Sequence, residues 1–173
     1  MHYEDNYNPA DLEVRISEML VATSDAADEG LDAPVQDVLK LLRSNLKMDV
    51  VFVSEFVDGE RVIRLVAQEQ QRITVGTCED LEATWCQRVV DGRLPQFIEN
   101  GAKVQATGAA PPTPFPIGTF MSVPIVLKDG QVYGTICCFS HHVNGQVNHK
   151  DLRKLSYTAE LTADRIEQAR RQG

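Results

Sequence analysis

Apolar and polar positions recur along this chain with two different periods, and the places where the period changes mark out its elements. Leu12, Ile16, Met19, Leu20 and Thr23 fall at helical spacing behind Asn8-Pro9-Ala10-Asp11, which supplies an N-cap, a proline at the first helical position and an acid in the first turn. An amphipathic helix is expected there, ending within residues 24–30. Asp32 and Pro34 open a second helix with the stripe Val35, Val38, Leu39, Leu42 and Leu46, which ends near Lys47. The period then shortens. Residues 50–57 and 61–67 are β-prone runs around Asp58-Gly59-Glu60, and two further apolar runs flank Lys128-Asp129-Gly130-Gln131 within residues 118–140. Asp-Gly is a strong signal for the tight turn between antiparallel strands, so two β-hairpins are predicted.

Both arms of the second hairpin are apolar at nearly every position, as is the strand at 50–57 apart from Ser54 and Glu55. Such strands suit a sheet covered on both faces, and the covers must be helices. Residues 68–74 are polar and read equally as a short edge strand or a loop. Residues 80–92 read as a helix with Leu81, Trp85 and either Cys86 or Val89 on one face and Gly92 as its stop. Residues 94–98 form a short extended piece, and residues 100–107 make one or two helical turns. Four of the eight prolines lie between Gly108 and Gly118, together with Phe115 and Ile117, so this segment is a loop. Two readings of it stay open: a stiff surface connection, or a lid that Phe115 and Ile117 close over a cavity. Leu152, Leu155, Ala159, Thr162, Ala163, Ile166 and Ala169 give a long C-terminal helix over 148–172. The expected class is α+β, a central antiparallel sheet of five to six strands with helices on both faces.

At 173 residues the chain is one domain of ordinary size. The expected division is an N-terminal helix over 1–30 and a domain over 31–173. A net charge of −8 disfavours nucleic-acid or anionic-membrane surfaces, which need clustered Lys and Arg. Arg165, Arg170 and Arg171 are interrupted by Glu167 and read as a solvated helix end. No apolar run approaches membrane-spanning length, and the start, Met-His-Tyr-Glu-Asp-Asn, has neither the basic nor the apolar part of a signal peptide. The expected location is the cytoplasm. Cysteines 78, 86, 137 and 138 fit a reducing compartment without structural disulfides.

Ser-Val-Pro-Ile, a turn with Asp-Gly, then Tyr-Gly-Thr-Ile-Cys-Cys-Phe-Ser resembles the last two core strands of a GAF domain. Trp85-Cys-Gln-Arg-Val-Val-Asp-Gly-Arg-Leu-Pro95 is similar to the helix and turn of many bacterial GAF sensor modules. The likeness covers roughly residues 30–170, and the element order fits it better than a PAS domain, which would close with three successive strands. The resemblance implies a pocket between the sheet and the middle helices, lined by Phe52, Ser54 and Phe56, by Trp85, Cys86 and Val89, and by Phe97. Phe120, Ser122, Cys137 and Phe139 complete it if those strand faces point inward, with Phe115 at its roof. Strand parity stays open, because both faces are apolar and one register slip exchanges the sets. Each aromatic has the simpler reading of core, whereas Ser54 and Ser122 need partners inside apolar strands.

Covalent bilin attachment in related photoreceptors uses a cysteine followed by histidine, and here Gln87 follows Cys86. Asn148-His-Lys150-Asp151 is a contiguous echo of the cyclic-nucleotide constellation and reads as an N-cap with first-turn polar residues. No metal is expected, since His141, His142 and His149 lack ligand spacing. A free methionine sulfoxide reductase would need a nucleophilic and a resolving thiol near the pocket loops. Cys78, in a first helical turn, would be opposed by Glu79 and Asp80, and Cys137 and Cys138 point to opposite faces, which makes them packing. The expected function is a non-enzymatic GAF-type sensory or regulatory domain. It would bind an unidentified small ligand, dimerise through its N- and C-terminal helices and signal to a downstream protein. The sulfoxide reductase and a pocketless dimerisation module are the alternatives.

Overall fold

A computed structural model describes residues 32–172; the helix predicted within residues 1–30 lies outside them. The chain order is α1 (Asp32–Leu46), β1 (Val50–Val57), β2 (Glu60–Gln68), β3 (Cys78–Asp80), α2 (Trp85–Val90), β4 (Phe97–Ile98), α3 (Gly101–Ala106), β5 (Phe120–Val126), β6 (Val132–Phe139) and α4 (Leu152–Gln172). The strands form one antiparallel sheet of six in the order β3-β2-β1-β6-β5-β4. The two predicted hairpins occupy its middle, joined by β1 against β6, and the edge strands are only three and two residues long. Asp58 and Gly59 both have positive φ (52° and 79°), the pair that a tight hairpin turn with the strands' own twist demands.

Alternation along β1 sends Val51 and Val53 to one face and Val50 and Phe52 to the other, and all four are buried. The first face is covered by α1 and α4. Val35, Val38, Leu39, Leu42 and Leu46 from α1 and Leu155, Ala159, Ala163 and Ile166 from α4 pack onto Val51, Val53, Met121, Val123, Ile136 and Cys138. Each large side chain fully buried this way contributes about 1.5–3 kcal/mol. Among the polar groups at this layer, Lys154 is nearly buried, and its ammonium lies 2.9 Å from Asp151 Oδ1 and donates to Asn45 Oδ1 at 3.2 Å, linking α4 to α1. Asn148 and Asp151 form a reciprocal capping box ahead of α4, as its sequence suggests.

The helix predicted over 80–92 is broken in two. A 3₁₀ turn at Leu81–Ala83 comes first, Thr84 is extended (φ −106°, ψ 148°), and its hydroxyl caps Gln87 N–H to start α2 at Trp85. A β-branched residue with a capping hydroxyl favours starting a helix over continuing one. Cys78 is accordingly in an exposed edge strand, not in a helical first turn. The edge strand left open for residues 68–74 forms later, at Cys78–Asp80. Residues 69–77 fold back as a loop held by the Gln68 side chain, which accepts from the backbone of Arg72 and Ile73.

Between Val53 and Ser54 the pairing of β1 with β2 shifts by one residue, leaving Arg64 as an extra residue. Val53 faces Leu65 before the bulge, and Ser54 faces Ile63 and Phe56 faces Arg61 after it. Residues of β2 with the same parity therefore lie on opposite faces, Leu65 with the helix layer and Ile63 with the other core.

Gly134 stands where β6 passes β1, and a Cβ there would fall on the Ser54 backbone carbonyl. Gly134→Ala is expected to cost about 2–3 kcal/mol through forced displacement of a central strand pair. Urea unfolding measures this, with Gly145→Ala, where a Cβ meets nothing within 4 Å, as the neutral comparison.

Candidate functional site

The second face of the sheet is covered by α2, α3 and the proline-rich loop, and it is incompletely filled. Residues of β1, β2, β5 and β6 form a floor, α2 forms one wall, and residues 112–117 form the roof over a cavity of about 280 Å³. Its apolar lining is Phe52, Ile63, Ile73, Trp85, Phe115, Ile117, Phe120 and Phe139; its polar lining includes Arg61, Arg72, Thr74, Thr77, Glu79, Thr84 and Cys86. Trp85 packs on Phe120 at 5.1 Å between ring centroids, and Phe115 stacks on Phe139 at 5.3 Å with planes 5° apart. Aromatic walls of this kind are stiff and give a preformed, flat-sided space.

The roof is held by an uncommon device. Pro111, Pro112, Pro114 and Pro116 have no N–H to donate, so the loop is tied through carbonyls and side chains. Trp85 Nε1 and Gln105 Nε2 both donate to the Pro111 carbonyl, at 3.0 and 3.1 Å. Arg88 Nη1 donates to the Ala109 carbonyl at 2.9 Å, and Thr113 Oγ1 donates to the Phe115 carbonyl at 2.6 Å. Of the two readings left open for this loop, the arrangement is that of a cavity roof, with Phe115 and Ile117 turned inward.

Arg61 is a basic side chain set beside the aromatic rings of the floor. The bulge at Arg64 gives it the inward parity of Phe56. Its guanidinium lies 5.5 Å from the Phe52 ring centroid and pairs with Glu79 at 3.3 Å, while its own side chain is 12% exposed. The Arg61 Nε is buried and has no acceptor. Arg61 Nη1 also donates to Cys86 Sγ at 3.6 Å.

From Cys86 a polar chain continues beneath the floor. Cys86 Sγ lies 3.2 Å from Cys137 Sγ, which in turn lies 3.0 Å from Ser122 Oγ and 3.3 Å from Thr135 Oγ1, and Thr135 Oγ1 bonds Ser54 Oγ at 2.8 Å. The buried hydroxyls of Ser54 and Ser122 thus have the partners that burial requires. The Cys86 thiol is drawn down to about 6, first by the hydrogen bond it accepts from Cys137, with the nearby Arg61 charge acting against the cost of burial. Burial and the Cys86 contact push Cys137 up, and burial pushes up Cys138, which faces the helix layer.

Of the residues expected at a pocket, Phe52, Trp85, Cys86, Phe115, Phe120 and Phe139 line the cavity. Ser54, Ser122 and Cys137 lie sealed under its floor, and Phe56 and Val89 pack in the surrounding core. Phe97 is placed differently: β4 alternation sends Ile98 to the cavity side and Phe97 to the α4 layer, where its ring meets His149 at 4.7 Å. Arg61, Glu79 and Thr135 were outside the expected set. The bulge that orients Arg61 has no signal in the alternation of β2, and Cys86 and Cys137 are too far apart in sequence for spacing to pair them. Among the described residues no group of three or more His, Cys, Asp or Glu could hold a metal ion, and no helix is long and apolar enough to cross a membrane.

A family model described as GAF domain matches residues 28–167. No curated protein matches the chain. Among solved structures, the GAF domain from an Acinetobacter phosphoenolpyruvate-protein phosphotransferase superposes with a TM-score of 0.77 at 15% identity, covering 95% of each chain. The phycocyanobilin-bound GAF domain from a cyanobacterial phytochrome gives 0.69 at 12% identity, over 96% of this chain and 97% of that one. Free methionine-R-sulfoxide reductase from Neisseria meningitidis, in complex with its substrate, gives 0.69 at 16% identity over 93% of each chain. At these identities the likeness is one of fold.

Trp85→Phe keeps an aromatic ring but loses the N–H that helps Gln105 hold the Pro111 carbonyl, together with part of the buried indole, and is expected to cost about 1–3 kcal/mol. Limited proteolysis within residues 109–116 should accelerate in that variant, whereas Val126→Ala, at an exposed site at the far end of β5 from Phe120, should leave it unchanged.

Proposed function

The chain belongs to the GAF domain family, and we propose that it acts as a non-enzymatic sensory domain whose cavity takes a small flat molecule bearing one anionic acceptor. The observation that carries this reading is Arg61. A guanidinium with an orphaned Nε, set among five aromatic rings, is a donor left without its acceptor. The Arg61 guanidinium lines the cavity, and a carboxylate entering it would meet that charge with a charge-assisted bond. Glu79, half-exposed, already pairs with Arg61 and would yield it to the ligand or share it.

The route from cavity to output runs through β6. Phe139, a cavity residue, is its last residue, and the segment that follows leads through the capping box into α4. A ligand that tightens the Phe115–Phe139 stack would bias the placement of α4, and a helix that packs against its copy converts such a bias into a signal. We infer a homodimer built on α4 and on the helix that the sequence predicts within residues 1–30. Leu152, Tyr157 and Leu161 of α4 are only partly covered by the domain's own core, which supports this. A downstream signalling protein would read the packing of these helices.

Trp85 is the single tryptophan of the chain and lines the cavity, so its emission reports occupancy directly. Titration with aromatic carboxylates should change Trp85 fluorescence, and the matching neutral amides should bind about 10- to 100-fold more weakly, the worth of one charge-assisted bond. Arg61→Gln should remove that preference. Equal binding of acid and amide would overturn the anionic assignment, and turnover of free methionine sulfoxide with thioredoxin would overturn the non-enzymatic one. Light scattering behind size exclusion should show a dimer; a monomer at high concentration would remove that half of the proposal.

A further inference from the structure

We propose that Cys86 and Cys137 form an oxidisable dithiol at the floor of the cavity, which a peroxide closes to a disulfide between α2 and β6. The geometry already brings the two sulfurs to 3.2 Å, so a move of roughly 1 Å reaches the bond length of about 2.05 Å. The two thiols have different situations. Cys86 forms part of the cavity wall, while Cys137 is fully buried and enclosed by Ser122, Thr135 and Cys86. An oxidant reaching the floor therefore meets Cys86 first and Cys137 only through it.

The groups around Cys86 favour this order. Arg61 approaches it from β2 with its Nη1 at 3.6 Å, Glu79 of β3 sits on the far side of that guanidinium, and Cys137 faces it from β6. Arg72 is the other charged group in the cavity wall. A cation beside Cys86 and a thiol donating to it both favour the thiolate, the nucleophilic form. In the first step Cys86 sulfur attacks one peroxide oxygen, the O–O bond breaks, and the departing hydroxide takes up a proton as water. Cys86 is then a sulfenic acid. Cys137 sulfur attacks it next, the S–O bond breaks, and a second water leaves with the Cys137 proton. Each sulfur has lost one electron and the peroxide has gained two. The same placement separates the pair from the other cysteines, since Cys138 faces the helix layer and Cys78 stands exposed on the edge strand. This chemistry does not rest on the sensory reading; it needs only that peroxide enter the cavity.

The test uses the Cys78→Ser protein, which removes the exposed thiol, treated with hydrogen peroxide and mapped without reduction. The expected result is a peptide pair linked through Cys86 and Cys137, an intact mass lower by two hydrogens, and reversal by dithiothreitol. The oxidised protein should melt roughly 5–10 °C higher, as a cross-link closing a loop of this length implies. Arg61→Gln should slow the oxidation roughly tenfold, and in the parent the rate should fall as pH drops through about 6. Cys137→Ser should leave Cys86 as a sulfenic acid that dimedone traps. If that variant does not fold, the linked peptide of the Cys78→Ser protein decides alone. Oxidation of Cys86 to a sulfinic acid with no linked peptide, a Cys86–Cys138 link, or two thiols unchanged at millimolar peroxide would each overturn the proposal.

Discussion

The constraint on which this structure depends is that its central strands must be buried twice. β1 and β6 sit in the middle of the sheet, and over Val50–Ser54 and Gly134–Phe139 both of their faces are buried. One face is met by two long amphipathic helices whose stripes fit it closely. The other is met by two helices of six residues each and a loop that cannot make a strand. Short elements cover a sheet less completely than long ones, and the cavity is what remains. The pocket is thus a consequence of unequal covers over a symmetric demand for burial.

The cover on that second face is rigid in spite of its irregular backbone. Prolines limit the conformations of the loop before folding as well as after it, which reduces the entropy lost when the roof closes. The acceptor bonds from Trp85, Gln105 and Arg88 then fix its height above the floor. Beneath it, polar side chains are chained to one another instead of to water. Ser54, Thr135, Cys137 and Cys86 form a line from the sheet interior to the cavity wall, where Arg61 ends it. A partly satisfied network of this kind would be costly if any member were deleted singly, because its neighbours would be left unpaired in apolar surroundings.

Much of the fold was legible because local signals and burial agreed. Two Asp-Gly turns placed the hairpins, uninterrupted apolar runs required helices on both faces, and Asn148 with Asp151 marked the start of α4. The aromatic lining was legible in part, as Phe52, Trp85, Phe115, Phe120 and Phe139 show. What escaped was set by position within the sheet. A single extra residue at Arg64 decides that Arg61 faces inward, and no pattern in residues 60–68 announces it. Phe97 goes to the opposite layer because a two-residue strand offers no periodicity to read. Thr84 halts a helix that the apolar spacing on either side would continue. The meeting of Cys86 with Cys137 arises from packing α2 on β6, a contact between distant segments, whereas Cys137 beside Cys138 attracts notice in the sequence and separates in space.

The shortness of β3 and β4 bears on how the protein behaves in a crowded solution. Exposed strand edges are templates on which other chains add, and long ones invite runaway stacking. This sheet ends in three residues on one side, with acidic Glu79 and Asp80 among them, and in two residues on the other. The two central strands, β1 and β6, are flanked on both sides by strands of their own chain, while β3 and β4 cover only Glu60–Val62 of β2 and Phe120–Met121 of β5. The apolar runs of β1 and β6, which have the composition of fibril-forming peptides, are thereby kept out of reach once folded.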